Sequence, residues 1–254
     1  MLRYFHGFQF RDKYDDLFKG LDVDKAVNNG TIQPGRYLLL EFDFSRPARP
    51  RDGSESAQFI AQHINGRLSK FKRDYTKYLG ESFASQTSTF MENNPAGNFE
   101  QLIDAVYILA DEYDACANDY MDPHHPKLWS DAAPSRLLKA FWANVKSSRK
   151  SRYGIKKVYI TGVTPLLLSD LVSGADNQEN VSFSPRFSTI CGLTRSDVLG
   201  ALKAICNNEE DVQKYLRELE HNANGYHFCQ KQSVEPVFNT YTALSYLQVS
   251  KEKR

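Results

Sequence analysis

Three short apolar runs constrain what this chain can fold into. They are RYLLLEFDFS with Leu38, Leu39, Leu40, Phe42 and Phe44, AVYILADEYD from Ala105 to Asp114, and KVYITGV with a strand expected over Val158 to Val163. Each is too short for a helix of ordinary length. Apolar continuity predicts buried strands for the first two, and the third reads as a strand followed by a turn. Helix-length amphipathic stretches separate the runs, and the order strand, helix, strand, helix, strand predicts an α/β domain on a parallel sheet.

The intervening segments fit that order. Ser54 or Ser56 opens a long helix whose stripe is Phe59/Ile60, Ile64, Leu68, Phe71, Tyr75 and Leu79. Residues 84–98 are Ser/Thr/Asn-rich and read as loop. Residues 135–149 form a second amphipathic helix with Leu137/Leu138, Phe141/Trp142 and Val145, and residues 146–157 read as basic turn. Residues 1–20 read as one helix stopped by Gly20. The last third changes character to helices over Thr194 to Ile205, Glu209 to Glu220 and Thr240 to Gln248. Thr194 and Asp197 are spaced as a capping box. The expected organisation is an α/β core over 1–174 and a smaller helical subdomain over 175–254.

Composition narrows the function classes. Thirty-two Lys and Arg balance 31 Asp and Glu, giving a net charge of +1, so nothing global calls for nucleic acid or an anionic membrane. No run reaches the roughly 18 apolar residues of a bilayer span. The N-terminus has no signal-peptide core. Cys116, Cys191, Cys206 and Cys229 are far apart, with no CxxC pair. An intracellular location with reduced thiols is the expectation.

In parallel sheets, functional groups collect at the carboxyl ends of strands. Here those ends carry Glu41/Asp43, Asp111/Glu112/Asp114 and Thr161/Thr164. An apolar strand ending in Asp-Glu is the pattern of a Walker B element, in which one carboxylate sits near Mg²⁺ and the next polarises a water. Asp111 is the candidate for the metal, Glu112 for the base and Thr161, placed mid-strand, for a sensor of phosphate or water. Arg186 in FSPRFS reads as a surface ion-pair partner or as the cation a phosphate-transfer site needs. Three carboxylates within four residues repel one another unless a cation balances them. His124-His125 lacks a third ligand at useful spacing and reads as loop. The basic run Lys146 to Lys157 reads as a solvated helix end. A metal-dependent nuclease on Glu41, Asp43 and Asp111 would need a nearby lysine that the spacing does not supply.

LFKGLDV (17–23), YLLLEFDFS (37–45), LADEYD (109–114), YITGVTPLLLSDLVSG (159–174), RFSTICGLT (186–194) and NGYHFC (224–229) occur in an order that resembles the AAA-ATPase-like family, P-loop ATPases abundant in fungi and bacteria. The resemblance implies a P-loop-NTPase-like core with a helical lid, ATP and Mg²⁺ as ligands, Asp111 and Glu112 as Walker B, and Thr161 on the sensor strand. The family's nucleotide loop contains Gly-Lys-Ser/Thr and lies just before the helix that opens this chain, whereas no Gly-Lys dipeptide occurs here. The expectation is therefore a truncated or degenerate nucleotide-binding switch with weak or no hydrolysis and an uncovered sheet edge. The alternative is a non-catalytic interaction module that uses a protein partner or self-association.

Overall fold

The computed structural model describes residues 1–45, 53–80, 106–118, 133–150, 154–163, 179–229, 231 and 234–252. The chain divides into two compact units, Met1–Ala175 and Asp176–Arg254. In chain order the first contains α1 (Leu2–His6), α2 (Tyr14–Phe18), α3 (Asp22–Asn28), β1 (Leu38–Asp43), α4 (Gly53–Leu79), β2 (Val106–Asp111), α5 (Ala115–Asn118), α6 (Ala133–Lys150) and β3 (Ile155–Ile160). The strands form one parallel sheet in the order β1-β2-β3. The expected α/β class holds, and all three apolar runs are strands.

Strand alternation sorts the sheet into two faces. Leu38, Leu40 and Phe42 of β1, Val106, Ile108 and Ala110 of β2, and the partly buried Val158 and Ile160 of β3 share one core. Ile60, Ile64, Leu68 and Phe71 of α4 and Leu138, Phe141 and Val145 of α6 complete it. The α4 stripe recurs every three to four residues, as the helical period requires. Phe59 and Leu79, expected on that stripe, are 38% and 39% exposed. Phe59 sits one position off the buried line, and Leu79 is the last residue of the helix.

The first twenty residues are not one helix. At Gly7 the backbone becomes extended (φ −75°, ψ 125°) and runs beside the entry to β1. Tyr37 N–H donates to the His6 carbonyl (2.9 Å), and Phe8 N–H donates to the Tyr37 carbonyl (2.8 Å). A Cβ at residue 7 would lie 2.8 Å from Leu39 Cδ1, so the close approach needs glycine. A 3₁₀ turn, Phe8–Lys13, follows. The outer edge of β1 is finished by side chains: Leu39 N–H donates to the Tyr75 hydroxyl (2.9 Å), and Arg67 Nε donates to the Glu41 carbonyl. These contacts take the place of a neighbouring strand. Beyond β3 no strand lies among the described residues.

Two boundaries move from their expected places. The helix expected over 135–149 runs from Ala133 to Lys150, so Lys146, Arg149 and Lys150 are helical rather than turn residues. β3 begins at Ile155, paired with Val106 ahead of a register shift, and ends at Ile160. The expected strand was three residues later. The loop expected over 84–98 lies outside the described residues.

The second unit contains α7 (Arg195–Ile205), α8 (Glu209–Ala223) and α9 (Thr240–Glu252) around Val198, Leu202, Val212, Leu216, Leu219, Phe238, Ala243 and Leu247. The capping box at α7 forms as the spacing predicted: Asp197 N–H donates to Thr194 Oγ1 (3.1 Å), and Thr194 N–H donates to Asp197 Oδ2 (2.8 Å). Antiparallel bridges pair Leu193 with Phe238 and Tyr226 with Val237, so this unit is not purely helical.

Candidate functional site

The site is built where β2 and β3 end together. Asp111, the last residue of β2, lies opposite Asp43 of β1, while Ala110 lies opposite Ile160 of β3. Thr161 is not mid-strand but the first residue after β3. Its N–H donates to the Ala110 carbonyl (2.8 Å), and its hydroxyl donates to Asp111 Oδ1. The same oxygen accepts Glu112 N–H (3.0 Å). Asp111 and Glu112 are both exposed. Two residues singled out fifty positions apart thus share a hydrogen bond.

Glu112 has φ +48°, the left-handed region that residues with a Cβ seldom enter. This reversal ends β2 and starts the turn in which Ala115 N–H donates to the Glu112 carbonyl (2.9 Å). Left-handed backbone costs a non-glycine residue about 1–2 kcal/mol. Glycine would remove that strain while adding up to about 1 kcal/mol of unfolded-state entropy. Glu112→Gly is therefore expected to leave stability unchanged or raise it by up to about 1 kcal/mol in urea melts. A loss greater than that would mean the carboxylate has a structural partner.

The three carboxylates do not gather at one point. Past the reversal, Asp114 turns inward and is 1% exposed, and its Oδ2 accepts Val163 N–H (3.0 Å). Tyr113 is also buried; burial first, and the Asp114 charge second, push its phenol up to about 12. Repulsion is thus relieved by direction, with two acids facing solvent and one facing the interior. Glu41 leaves the cluster as well. It pairs with Arg3 (3.3 Å) and Arg67 (3.7 Å), while Asp43 accepts Ser45 N–H (3.1 Å). The cations at Glu41 are arginines, so the lysine that a nuclease reading needs is not at this carboxylate among the described residues.

Residues 1–172 match the family model AAA-ATPase-like, described as a predicted AAA-ATPase. The chain belongs to that family. No curated protein and no solved structure matches it. The match takes in every strand of the sheet and the whole Asp111, Glu112 and Thr161 cluster of this AAA-ATPase-like chain.

Membership implies a nucleotide, and nucleotides of ATPases come with Mg²⁺. Mg²⁺ keeps several waters and is held by one or two carboxylates together with substrate phosphates rather than by a protein cage. One exposed Asp111 carboxylate at a strand end, with Oδ1 oriented by Thr161 and Glu112 N–H, fits that requirement. Among the described residues no group of three or more His, Cys, Asp or Glu side chains is placed to hold a metal by itself. Arg186 lies in the second unit on a 3₁₀ turn, Pro185–Phe187, exposed, with its guanidinium 5.4 Å from the Phe187 ring centre. Thr164 and His124-His125 lie outside the described residues. No helix among the described residues is long and apolar enough to cross a membrane. Sequence reasoning passed over Gly162 and the inward turn of Asp114. A glycine two residues past the end of a strand was the available signal, since it marks close approach of another group.

Proposed function

We propose that the AAA-ATPase-like unit binds ATP with Mg²⁺ and works as a nucleotide-dependent switch, with weak or no hydrolysis by these 254 residues alone. The observation that carries this reading is the Thr161 hydroxyl on Asp111 at the ends of two adjacent parallel strands, with Glu112 exposed beside it. Asp111 would hold the cation, which when bound neutralises phosphate charge. Glu112 would accept a proton from the attacking water, and Thr161 would orient that water or a phosphate oxygen. Weak turnover is proposed for these residues alone, because a Gly-Lys loop supplies the backbone amides and the lysine that cradle phosphates in such folds, and no Gly-Lys dipeptide lies within them.

Isothermal titration with ATP and Mg²⁺ tests the proposal. Binding in the micromolar range is expected, with Asp111→Ala weakening it at least about tenfold, equivalent to about 1.4 kcal/mol. Phosphate release should stay near the buffer rate. Absence of binding by the wild-type chain would sink the nucleotide reading and leave family membership as a statement about ancestry and fold.

A further inference from the structure

We propose that Asp114 is a positioning residue for this site: by accepting Val163 N–H, its buried carboxylate fixes the turn after β3 and so keeps the Thr161 hydroxyl on Asp111. The inference rests on the nucleotide reading above. A carboxylate that is 1% exposed is costly unless its oxygens are used, and here one oxygen reaches a backbone N–H 49 positions away. Val163 is 81% exposed, so burial of its side chain does not hold it there, whereas its N–H is tied to Asp114.

The surroundings make Asp114 a fixed anchor. Its carbonyl accepts Ala117 N–H (2.9 Å) and Asn118 N–H (3.0 Å), which ties its backbone to the start of α5. Gly162, between Thr161 and Val163, lies flat against it. A Cβ there would be 2.5 Å from Asp114 Oδ1 and nearer still to the Tyr113 ring. Thr161 is therefore held from both sides. Its own N–H is on the Ala110 carbonyl, its carbonyl accepts Tyr113 N–H (3.2 Å), and the residue two positions on is clasped by Asp114. Releasing the clasp removes the restraint on the turn beyond Thr161 and lets the hydroxyl shift from Asp111 toward the Ala110 carbonyl, which lies 3.3 Å from it, while the backbone bonds of Thr161 to β2 remain.

The test compares ATP affinity with Mg²⁺ and in EDTA, because the Thr161 hydroxyl sits on the Asp111 carboxylate that would hold the cation, so its displacement falls most heavily on the Mg²⁺-dependent part of binding. Asp114→Ala should lower the ratio of the two affinities at least about fivefold, matching Thr161→Val. The double variant should be no worse than Thr161→Val alone, as expected for residues acting through one contact. Asp114→Asn keeps an acceptor oxygen and should stay within about twofold of wild type. A merely structural role would lower the melting temperature and weaken both affinities alike; an unchanged ratio overturns the proposal. If wild type shows no Mg²⁺-dependent binding, the nucleotide reading has failed, and amide exchange decides the positioning separately. Faster exchange in a peptide spanning 159–164 of Asp114→Ala, with 106–111 still protected, supports the clasp; unchanged exchange overturns it. Should Asp114→Ala fail to fold, Asp114→Glu, which keeps the charge but displaces the oxygen, carries the same measurements.

Discussion

Phe141→Ala will cost the AAA-ATPase-like unit about 3–5 kcal/mol, the range for emptying a large aromatic site in a well-packed core. Phe141 lies on α6 and has no solvent exposure. Its ring meets Phe42 of β1 edge-on at 5.2 Å and 74°, and Trp142 at 5.2 Å. It thus links a helix to a strand that is not its sequence neighbour, and truncation removes both transfer free energy and the aromatic contacts. Domains of this kind are stable by only about 5–15 kcal/mol, so the loss is a large share of the total. Phe141→Leu, which retains much of the volume, should cost less than half as much. Urea unfolding followed by circular dichroism measures both. A Phe141→Ala loss below about 1 kcal/mol would mean that α6 does not pack on the sheet through this ring.

Apolar continuity made the sheet legible. A run such as LLLEF can be buried only between two layers, and parallel order followed from the helical stretches between runs. What could not be read was set by pairing partners. The start of β3 is fixed by Ile155 opposite Val106, and no local pattern in IKKVYI announces two lysines inside a strand. The N-terminal segment misled for a similar reason. Leu2, Phe5, Phe8, Tyr14, Leu17 and Phe18 have helical spacing, yet docking against residues 35–37 breaks the helix at Gly7.

The site was legible in residue type and illegible in direction. Asp111 and Glu112 at the end of an apolar strand are visible in LADEYD, and Thr161 in YITGV. Three acids in four residues suggested mutual repulsion. The left-handed turn at Glu112 instead sends Asp114 into the interior to serve Val163 N–H. A positive φ at a non-glycine residue leaves no trace in sequence.

Acidification below pH 6.5 should destabilise the first unit through His6. Its ring packs among Phe5 (5.0 Å), Tyr107 (5.2 Å) and Tyr37 (5.9 Å), and Nδ1 has no hydrogen-bond partner among the described residues. The Lys157 ammonium lies over the Tyr37 ring at 5.4 Å. Burial first, and the Lys157 charge second, hold the imidazole down from 6.5 to about 4. The folded state therefore keeps His6 neutral while the unfolded chain takes up a proton. The stabilisation is whole above pH 6.5, is lost progressively as pH falls toward 4, and changes no further below that. The full shift would correspond to about 3 kcal/mol, and because the ring is only half-buried the expected loss is about 1–2 kcal/mol. His63 acts in the same direction: burial, then Arg67, lowers its pKa against a smaller opposing effect of Asp43. His6→Phe suits the aromatic surroundings and removes one of the two contributions. Urea melts at pH 7.5 and 4.5 should show wild type losing about 1–2 kcal/mol more than the variant. Lys157→Met should fall between them, because it removes only the smaller cause. Equal losses in wild type and His6→Phe would show that the imidazole is protonated as readily in the folded chain as in the unfolded one, which the packing around His6 does not allow.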